Sequence, residues 1–359
     1  MLILTNEEIQ SVIDMPAAVS ELEKAFRELA EQRAVNQVRR EIFFQNDPDE
    51  NTYYVFKLFE GLVAEQKMVA LRVNSDIIRW RKVGENLRKS KLSRAPGNRY
   101  VCLIHLFSTE TGEPLAVFPD AVIQRFRVGA TNGLGAKYLA RKEARSLGLL
   151  GAGWQAGAQL MAICAVRPIE KIKVFSPTAE KCRDFAREWS EKLKVSVEPA
   201  ATPQAAVRGV DIIASATNSI APTIQSNWVE AGMHITCLRR TEIDLKTVSL
   251  CDRVLVNSKA FQPQRKFVGG EAAEKKHPEW GRKRPAADRL VSWKEMPDLV
   301  DLFSGRVSGR RSPDEKTCFA NVIGLGIQFV AVAGMVYKRA IKKGLGTEIP
   351  TDLFLQDLR

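Results

Sequence analysis

The 359-residue chain is poor in the residues that build metal sites and disulfide frameworks. It has three histidines, His105, His234 and His277, which lie far apart and show no metal-ligand spacing. Its six cysteines are scattered without a CxxC pair, a pattern that favours reduced thiols over a zinc site or disulfides. The sequence therefore predicts a cytoplasmic protein whose chemistry needs no metal.

Targeting and membrane signals are also lacking. The first ten residues, MLILTNEEIQ, have no basic region followed by an apolar core, so no signal peptide is expected. The uncharged run at residues 318–337 is as long as a membrane span, but Asn321, Gln328 and three glycines interrupt it. We interpret this run as a buried helix and expect no membrane partner.

Acidic residues are too few to balance the basic ones, which leaves a formal charge of +12. Lysines and arginines cluster in residues 79–94 and 275–284. Two solvated loops would explain these clusters, and an anionic cofactor or substrate is the alternative. Aromatic residues do not alternate with the basic ones and no recognition motif is present, so we expect no nucleic-acid partner.

The pattern of apolar residues changes near residue 125. A helical spacing within residues 11–34 is followed by strand-like runs with little helix between them, which predicts a sheet-rich first domain. From residue 146 onwards, strands alternate with helical stretches over roughly 130 residues, which predicts an α/β fold with a doubly wound parallel sheet. A polar, loop-rich stretch at 259–315 and a long apolar helix at 318–343 follow, and we expect that helix to return to the first domain.

One short segment, SLGLLGAGWQAGAQL at residues 146–160, carries a G-x-G-x-x-A motif between a predicted strand and a predicted helix. Gly151 permits a tight turn, Gly153 lets the backbone approach a pyrophosphate, and Ala156 lets the helix pack closely on the strand. The helix N-terminus would then face the phosphates. An ordinary strand-to-helix turn is the alternative, but the strands that follow at the right rhythm favour a dinucleotide site.

The end of the second strand of this domain indicates which dinucleotide is bound. Ser176 stands where NAD-specific sheets carry an acidic residue, and Thr178, Lys181 and Arg183 lie nearby. Hydroxyl and basic groups suit a 2′-phosphate, so we predict NADP, with NAD possible. Further cofactor contacts are expected from the following residues: Trp154 and Gln155 at the helix start, Ala216, Thr217 and Asn218 in SATNS, and Thr131.

Three arginines are candidates for binding the substrate. Arg127 precedes the fingerprint strand, Arg72 interrupts the apolar run MVALRVN, and Arg39 precedes EIFF. Planar guanidinium groups grip carboxylates bidentately, so arginines from separate segments suggest a site for an amino or oxo acid. Structural ion pairs are the alternative for each of them.

Several segments resemble the ornithine cyclodeaminase/mu-crystallin family in order and spacing. They are FSTETGEPLAVF, RFRVGATNGLGAKYLA, LGLLGAGWQAGAQLMAICAVRPIEKIKVFSPT and AAVRGVDIIASATNS, with GRVSGRRSPDEKTCF and GLGIQ near the C-terminus. The resemblance implies a Rossmann domain (126–316) inserted in a substrate-binding and dimerisation domain (1–125 plus 317–359), and hence a homodimer. It also implies that Arg127 binds the substrate carboxylate, whereas Arg72 stands where many members have a lysine near the reacting carbon.

This chain departs from the family's sequence pattern at two places, and both bear on which of the family's activities it has. Cyclodeaminases carry an acidic residue in a loop of the form GxDxPGKxEL, which here is only LRRTEID (238–244). Glu242 or Asp244 is then the candidate proton donor or ammonium anchor. Where the family often has Gln-Asp near the C-terminus, this chain has Gln328 followed by Phe329. Both changes disfavour ornithine cyclisation and leave redox chemistry intact.

The sequence thus predicts an NAD(P)H-dependent oxidoreductase that acts on a small amino or imino acid. The hydride would add to the carbon of an α-imino acid held by Arg127 and Arg72. Two alternatives stay open. One is a cyclodeaminase-type lyase with tightly bound NAD, and the other is a non-catalytic NADP-binding protein similar to mu-crystallin.

Overall fold

A computed structural model describes residues 1–83, 86–97, 99–219, 221–259, 262–280, 292, 293 and 295–357. The strands are β1 (Leu2–Ile3), β2 (Ala34–Asn36), β3 (Arg40–Asp47), β4 (Thr52–Val63), β5 (Met68–Val83), β6 (Asn86–Leu92), β7 (Cys102–Ser108), β8 (Pro114–Pro119), β9 (Ser146–Leu150), β10 (Lys171–Phe175), β11 (Ser196–Pro199), β12 (Ile212–Ser215), β13 (His234–Cys237), β14 (Arg253–Val256), β15 (Gln264–Phe267), β16 (Thr317–Ala320) and β17 (Thr347–Glu348).

The helices are α1 (Asn6–Val12), α2 (Met15–Ala30), α3 (Ala121–Leu139), α4 (Trp154–Val166), α5 (Ala179–Leu193), α6 (Pro203–Val207), α7 (Leu245–Ser249), α8 (Gly270–Lys276), α9 (Leu299–Phe303) and α10 (Gly326–Lys343). Within the described ranges, no helix is both long and apolar enough to cross a membrane.

The strands form two sheets. The ten-stranded sheet runs β15-β3-β4-β5-β7-β8-β1-β17, with β2 on β4 and β6 on β5. Its central strands pair antiparallel. The seven-stranded sheet runs β11-β10-β9-β12-β13-β16-β14 and is parallel throughout. The predicted α/β fold with a doubly wound parallel sheet is therefore confirmed, and the predicted helix at 154–166 is α4.

Side-chain alternation gives the ten-stranded sheet two distinct faces. We call the face that packs against α10 the inner face; on β4 it carries Phe59, Gly61 and Val63. An added Cβ at Gly61 would collide with the backbone of Ile327, so a glycine lets α10 lie directly on the strand. The opposite face, the open face, carries the exposed side chain of Phe44.

The predicted domain division needs correction at residue 317. Strand β16 lies between β13 and β14 in the parallel sheet, so it belongs to the dinucleotide-binding half. The apolar run at 318–337 is therefore a strand, then a loop, then a helix that begins only at Gly326. A strand that is buried on both faces has a continuous apolar sequence, and so does a buried helix. Periodicity alone therefore does not distinguish the two.

The stretch at 259–315 also differs from the prediction, because part of it joins the first sheet. Strand β15 pairs parallel with β3, and the ring of His277 packs on those of Tyr53 and Trp80. In the basic segment, residues 79–83 and 86–92 pair as strands β5 and β6 instead of forming a loop. Residues 281–284 of the second basic cluster lie outside the described residues.

Candidate active site

The glycine loop joins β9 to α4. Gly151 has φ +109°, and an added Cβ would collide with the carbonyl oxygen of Ala216, so this position requires glycine. Gly153 is extended, and nothing lies within 4 Å of the place its Cβ would occupy. The loop therefore has the tight turn and the open backbone approach that a pyrophosphate requires.

The start of α4 is equipped to bind an anion. Its N-cap residue is Gly153, which has no side chain to accept hydrogen bonds from the first N–H groups of the helix. Ala156 is fully buried against the sheet, as predicted for close helix packing. Trp154 is exposed, and the guanidinium of Arg125 lies 3.9 Å from the centroid of its ring. Gln155 is half-buried beside it.

The residues predicted to bind the ribose follow β10. Ser176 is half-buried directly after the strand, and Thr178 is the N-cap of α5 without a side-chain cap bond. Lys181 is exposed on the first turn of that helix, where Glu180 is the neighbouring carboxylate. Two hydroxyls and an ammonium thus lie at the carboxyl end of the strand, the edge where doubly wound sheets bind dinucleotides.

The segment SATNS packs against the glycine loop. The N–H of Ala216 donates to the carbonyl oxygen of Leu150 at 2.9 Å. Thr217 donates twice to the carboxylate of Glu242, from its N–H at 2.6 Å and its hydroxyl at 2.9 Å. Asn218 is exposed at the tip of the segment. The segment is therefore fixed beside the predicted cofactor position.

The carboxylates of Glu242 and Asp244 both accept hydrogen bonds from backbone N–H groups. Glu242 is fully buried, and its other carboxylate oxygen accepts from the N–H groups of Leu238 (2.9 Å) and Arg239 (3.0 Å). Asp244 is the N-cap of α7 and accepts from the N–H of Thr247 at 2.5 Å. These hydrogen bonds hold the backbone of the shortened loop and disfavour the expected role of proton donor or ammonium anchor, which stays a prediction.

We expect Glu242→Gln to lower the free energy of unfolding by about 2–4 kcal/mol, because an amide NH₂ would face N–H donors that need an acceptor. Urea denaturation would measure the loss. Glu271→Gln is the control, since Glu271 is exposed and pairs only with Lys275. A Glu242→Gln protein of unchanged stability with 10²-fold lower kcat would support the proton-donor role.

The three predicted arginines come together on the inner face around two aromatic rings. The rings of Phe59 and Phe329 lie 5.7 Å apart, edge to face. Arg39 lies 5.6 Å from the Phe59 ring, and Arg72 lies 4.7 Å from Phe59 and 5.1 Å from Phe329. Arg127 lies 4.9 Å from Phe329. The guanidinium groups and the rings form one alternating cluster, as cation–π attraction favours.

Arg127 differs from the other two arginines in its partners. Arg72 pairs with Asp120, with Nη2 at 2.5 Å from Oδ2, and Arg39 lies 3.1 Å from a Glu41 oxygen. In the part of the chain that the structure describes, Arg127 has no carboxylate partner and is only 5% exposed. A buried guanidinium without an anion is costly, so this position suits an anionic ligand.

Two neutral amides hold the guanidinium of Arg127 in place. Its Nη1 donates to Gln328 at 3.0 Å, and its Nε and Nη2 donate to Gln124 at 3.1 and 2.5 Å. Burial, reinforced by the neighbouring Arg72, lowers the pKa of Arg127 to about 9. An added Cβ at Gly324 would lie 3.0 Å from both Nη atoms, so this glycine keeps room for the group.

Thr131 makes two hydrogen bonds within the protein. It is fully buried in α3, where its hydroxyl accepts from Gln328 Nε2 at 2.7 Å and donates to the carbonyl oxygen of Arg127 at 2.7 Å. These hydrogen bonds support the side chain of Gln328, and the cofactor contact of Thr131 stays a prediction. Sequence reasoning also missed Phe59 and Asp120, whose only signal was their place in or just after a strand.

Comparison with known proteins extends these observations. A sequence profile of the ornithine cyclodeaminase/mu-crystallin family matches residues 82–344. A Δ1-pyrroline-2-carboxylate reductase of Bacillus cereus is 28% identical over 357 residues, which cover 97% of this chain and 99% of that protein.

Two solved structures share the whole fold. One is the Δ1-pyrroline-2-carboxylate reductase of Thermococcus litoralis in complex with NADH and L-proline, with 26% identity, a TM-score of 0.76, and coverage of 97% of this chain and 100% of that one. The other is an archaeal alanine dehydrogenase dimer with bound NAD, with 25% identity, a TM-score of 0.74, and coverage of 98% and 99%. Both similarities therefore extend over both sheets of this chain.

Proposed function

The chain belongs to the ornithine cyclodeaminase/mu-crystallin family, and we propose that it is an NAD(P)H-dependent oxidoreductase that reduces an α-imino acid to the amino acid. The names of its relatives describe redox chemistry at a carbon that bears both a nitrogen and a carboxylate. The observation that carries the proposal is Arg127, a buried guanidinium without a carboxylate in a fold that has a dinucleotide loop.

Each residue has a defined part in this reaction. The nicotinamide supplies a hydride when it is bound. Arg127 binds the α-carboxylate, because Nη1 and Nη2 each keep a second N–H beyond their amide partners. The rings of Phe59 and Phe329 exclude water, which protects the imine from hydrolysis. Asp120, held by Arg72, offsets the positive charge of the protonated imine.

The lyase alternative is weaker. In this chain Phe329 stands where the family often has an aspartate, and the oxygens of Glu242 are occupied by backbone donors. Neither position offers a carboxylate for the second ammonium group of ornithine. Net consumption of NADPH on imines, without release of ammonia from ornithine, would support the reductase. Failure to reduce any imine would favour the non-catalytic binding protein.

We further propose NADP as the preferred cofactor. Ser176→Asp should lower kcat/KM with NADPH by tenfold or more, about 1.4 kcal/mol, because a carboxylate would face the 2′-phosphate. The value with NADH should hold or rise. Steady-state kinetics with both cofactors measure the change, and Ser312→Asp, at an exposed position far from the loop, is the control. A wild-type protein that already prefers NADH tenfold would overturn the proposal.

The open face is the proposed homodimer surface. Ile42 and Phe44 on β3 are 46% and 50% exposed, and they pair in register with Phe56 and Tyr54 of β4. Two exposed apolar side chains on β3, beside two half-buried aromatic side chains on β4, indicate an interaction surface. The alanine dehydrogenase of similar fold is a dimer.

We retain the cytoplasm as the proposed location, in keeping with six free cysteines.

A further inference from the structure

The inner face carries more positive charge than one substrate carboxylate can balance. Lys57 on β4 pairs in register with Asn74 of β5, next to the pair of Phe59 and Arg72. Its Nζ lies 3.2 Å from Asp76 Oδ2, but the other oxygen of Asp76 lies 2.9 Å from the Nζ of Lys91. One carboxylate therefore serves two ammonium groups.

The same sharing occurs at Glu41. One of its oxygens lies 3.1 Å from Arg39 and the other lies 3.1 Å from Arg265. The side chains joined by these ion pairs, together with Arg127, comprise six cations and four carboxylates, namely Arg39, Lys57, Arg72, Lys91, Arg127 and Arg265 against Glu41, Asp76, Asp120 and Glu279. An α-carboxylate on Arg127 removes only one of the two excess charges.

The excess of positive charge is costly at Lys57, because its ammonium group is buried. Its side chain is only 12% exposed. Burial, with a smaller effect of the Lys89 ammonium, lowers the pKa of Lys57 to about 8 although Asp76 is within ion-pair distance. Asp76 therefore does not compensate the charge fully, and a further anion close to Lys57 would stabilise its protonated form.

Asn74 provides a second, independent sign of a ligand. It is 2% exposed, its Nδ2 contacts the sulfur of Cys102 at 2.7 Å, and its Oδ1 has no hydrogen-bond partner. Burial raises the pKa of the Cys102 thiol to about 11, so the thiol keeps its proton. If the side-chain amide of Asn74 is rotated so that Oδ1 and Nδ2 exchange places, the Cys102 thiol can donate to Oδ1. Nδ2 is then free to donate to an anion. The Nε of Arg39 is also buried; it lies 3.1 Å from a Glu41 oxygen but makes no hydrogen bond of good geometry there.

We propose that Lys57, Asn74 and Arg39 form a second anion subsite, and that the substrate is an α-imino acid whose side chain ends in an anionic group such as a carboxylate. The inference rests on the proposed function and names its substrate class. Lys57 and Asn74 lie two positions along their strands from Phe59 and Arg72, roughly 7 Å away, which a side chain of two or three carbons with a terminal carboxylate can span. The second anion is bound and takes no part in the hydride transfer.

The test follows NADPH absorbance with imines formed from methylamine and 2-oxo acids. The 2-oxo acids are 2-oxoglutarate and oxaloacetate as dicarboxylates, and 2-oxopentanoate and pyruvate as monocarboxylates. Δ1-pyrroline-2-carboxylate is included as a cyclic imine. We expect kcat/KM to be at least 10²-fold higher for the imine of 2-oxoglutarate than for that of 2-oxopentanoate, which has the same chain length.

Substitutions of Lys57 test whether the preference for dicarboxylate imines depends on the proposed anion subsite. Lys57→Met should lower the ratio of dicarboxylate to monocarboxylate kcat/KM by tenfold or more, chiefly through a higher KM for the dicarboxylate. Lys57→Gln serves as a second variant if the methionine protein folds poorly. Lys67→Met, at an exposed lysine paired with Glu110, should leave the ratio unchanged.

The outcomes separate the two proposals. Reduction of monocarboxylate or cyclic imines with no preference for dicarboxylates, or an unchanged ratio in Lys57→Met, would overturn the subsite and leave the proposed function standing. A wild-type protein that binds NADPH but reduces none of these imines would overturn the proposed function, and the subsite proposal with it.

Discussion

Replacing Arg127 with lysine should lower kcat/KM for imine reduction by roughly 10²-fold or more, about 2.7 kcal/mol in transition-state stabilisation. Lysine is a point charge that cannot offer two parallel N–H groups to a carboxylate. It would also lose the amides of Gln124 and Gln328, which hold the guanidinium plane in its present orientation.

NADP affinity should remain nearly the same in Arg127→Lys, because the proposed phosphate contacts come from the glycine loop and the start of α4. Steady-state kinetics and calorimetric titration with NADP measure the two quantities. Arg145→Lys is a matched control, since Arg145 is exposed and pairs with Glu170. If NADP binding collapses while the substrate KM holds, Arg127 belongs to the cofactor site instead.

The second large effect is expected from Gly153→Val, which should weaken NADP binding by at least 10²-fold without unfolding the protein. The φ of −104° at this position suits any residue, and the added side chain would enter open space. That space is where the pyrophosphate would approach the backbone, so valine would exclude it.

Calorimetry and a thermal melt together test this prediction. The melting temperature should stay within a few degrees of the wild type, as it should for Ala205→Val, an exposed alanine of α6. Gly151→Val makes the contrasting case, because its Cβ would collide with Ala216 and the protein itself should be destabilised. Unchanged NADP affinity in Gly153→Val would refute the dinucleotide site.

The sequence predicted the doubly wound half of the fold well because its signals are local. Alternating strands and helices, the glycine turn and the N-cap of α4 each depend on residues close together in the chain. Strand β16 was missed because it reaches the parallel sheet from a distant part of the chain, between β13 and β14. Only tertiary pairing distinguishes that strand from the helix after it.

The candidate site was predictable in residue type but not in arrangement. A charge in an apolar run identified Arg72, and the position before the fingerprint strand, with the family resemblance, identified Arg127. The pairing of Phe59 with Arg72, in contrast, depends on the register between β4 and β5. The contacts of Glu242 were not predictable for a related reason. A carboxylate in a loop resembles an acid catalyst in sequence, and only the folded backbone reveals the four donors that occupy its oxygens.

The hydrogen bond between Arg127 and Gln328 joins two separate crossings of the chain between the sheets. Arg127 lies on α3, which leads from the ten-stranded sheet into the parallel one, and Gln328 lies at the start of α10, where the chain returns from β16. The hydrogen bond therefore ties together the two segments that connect the sheets, so the orientation of the Arg127 guanidinium depends on both of them.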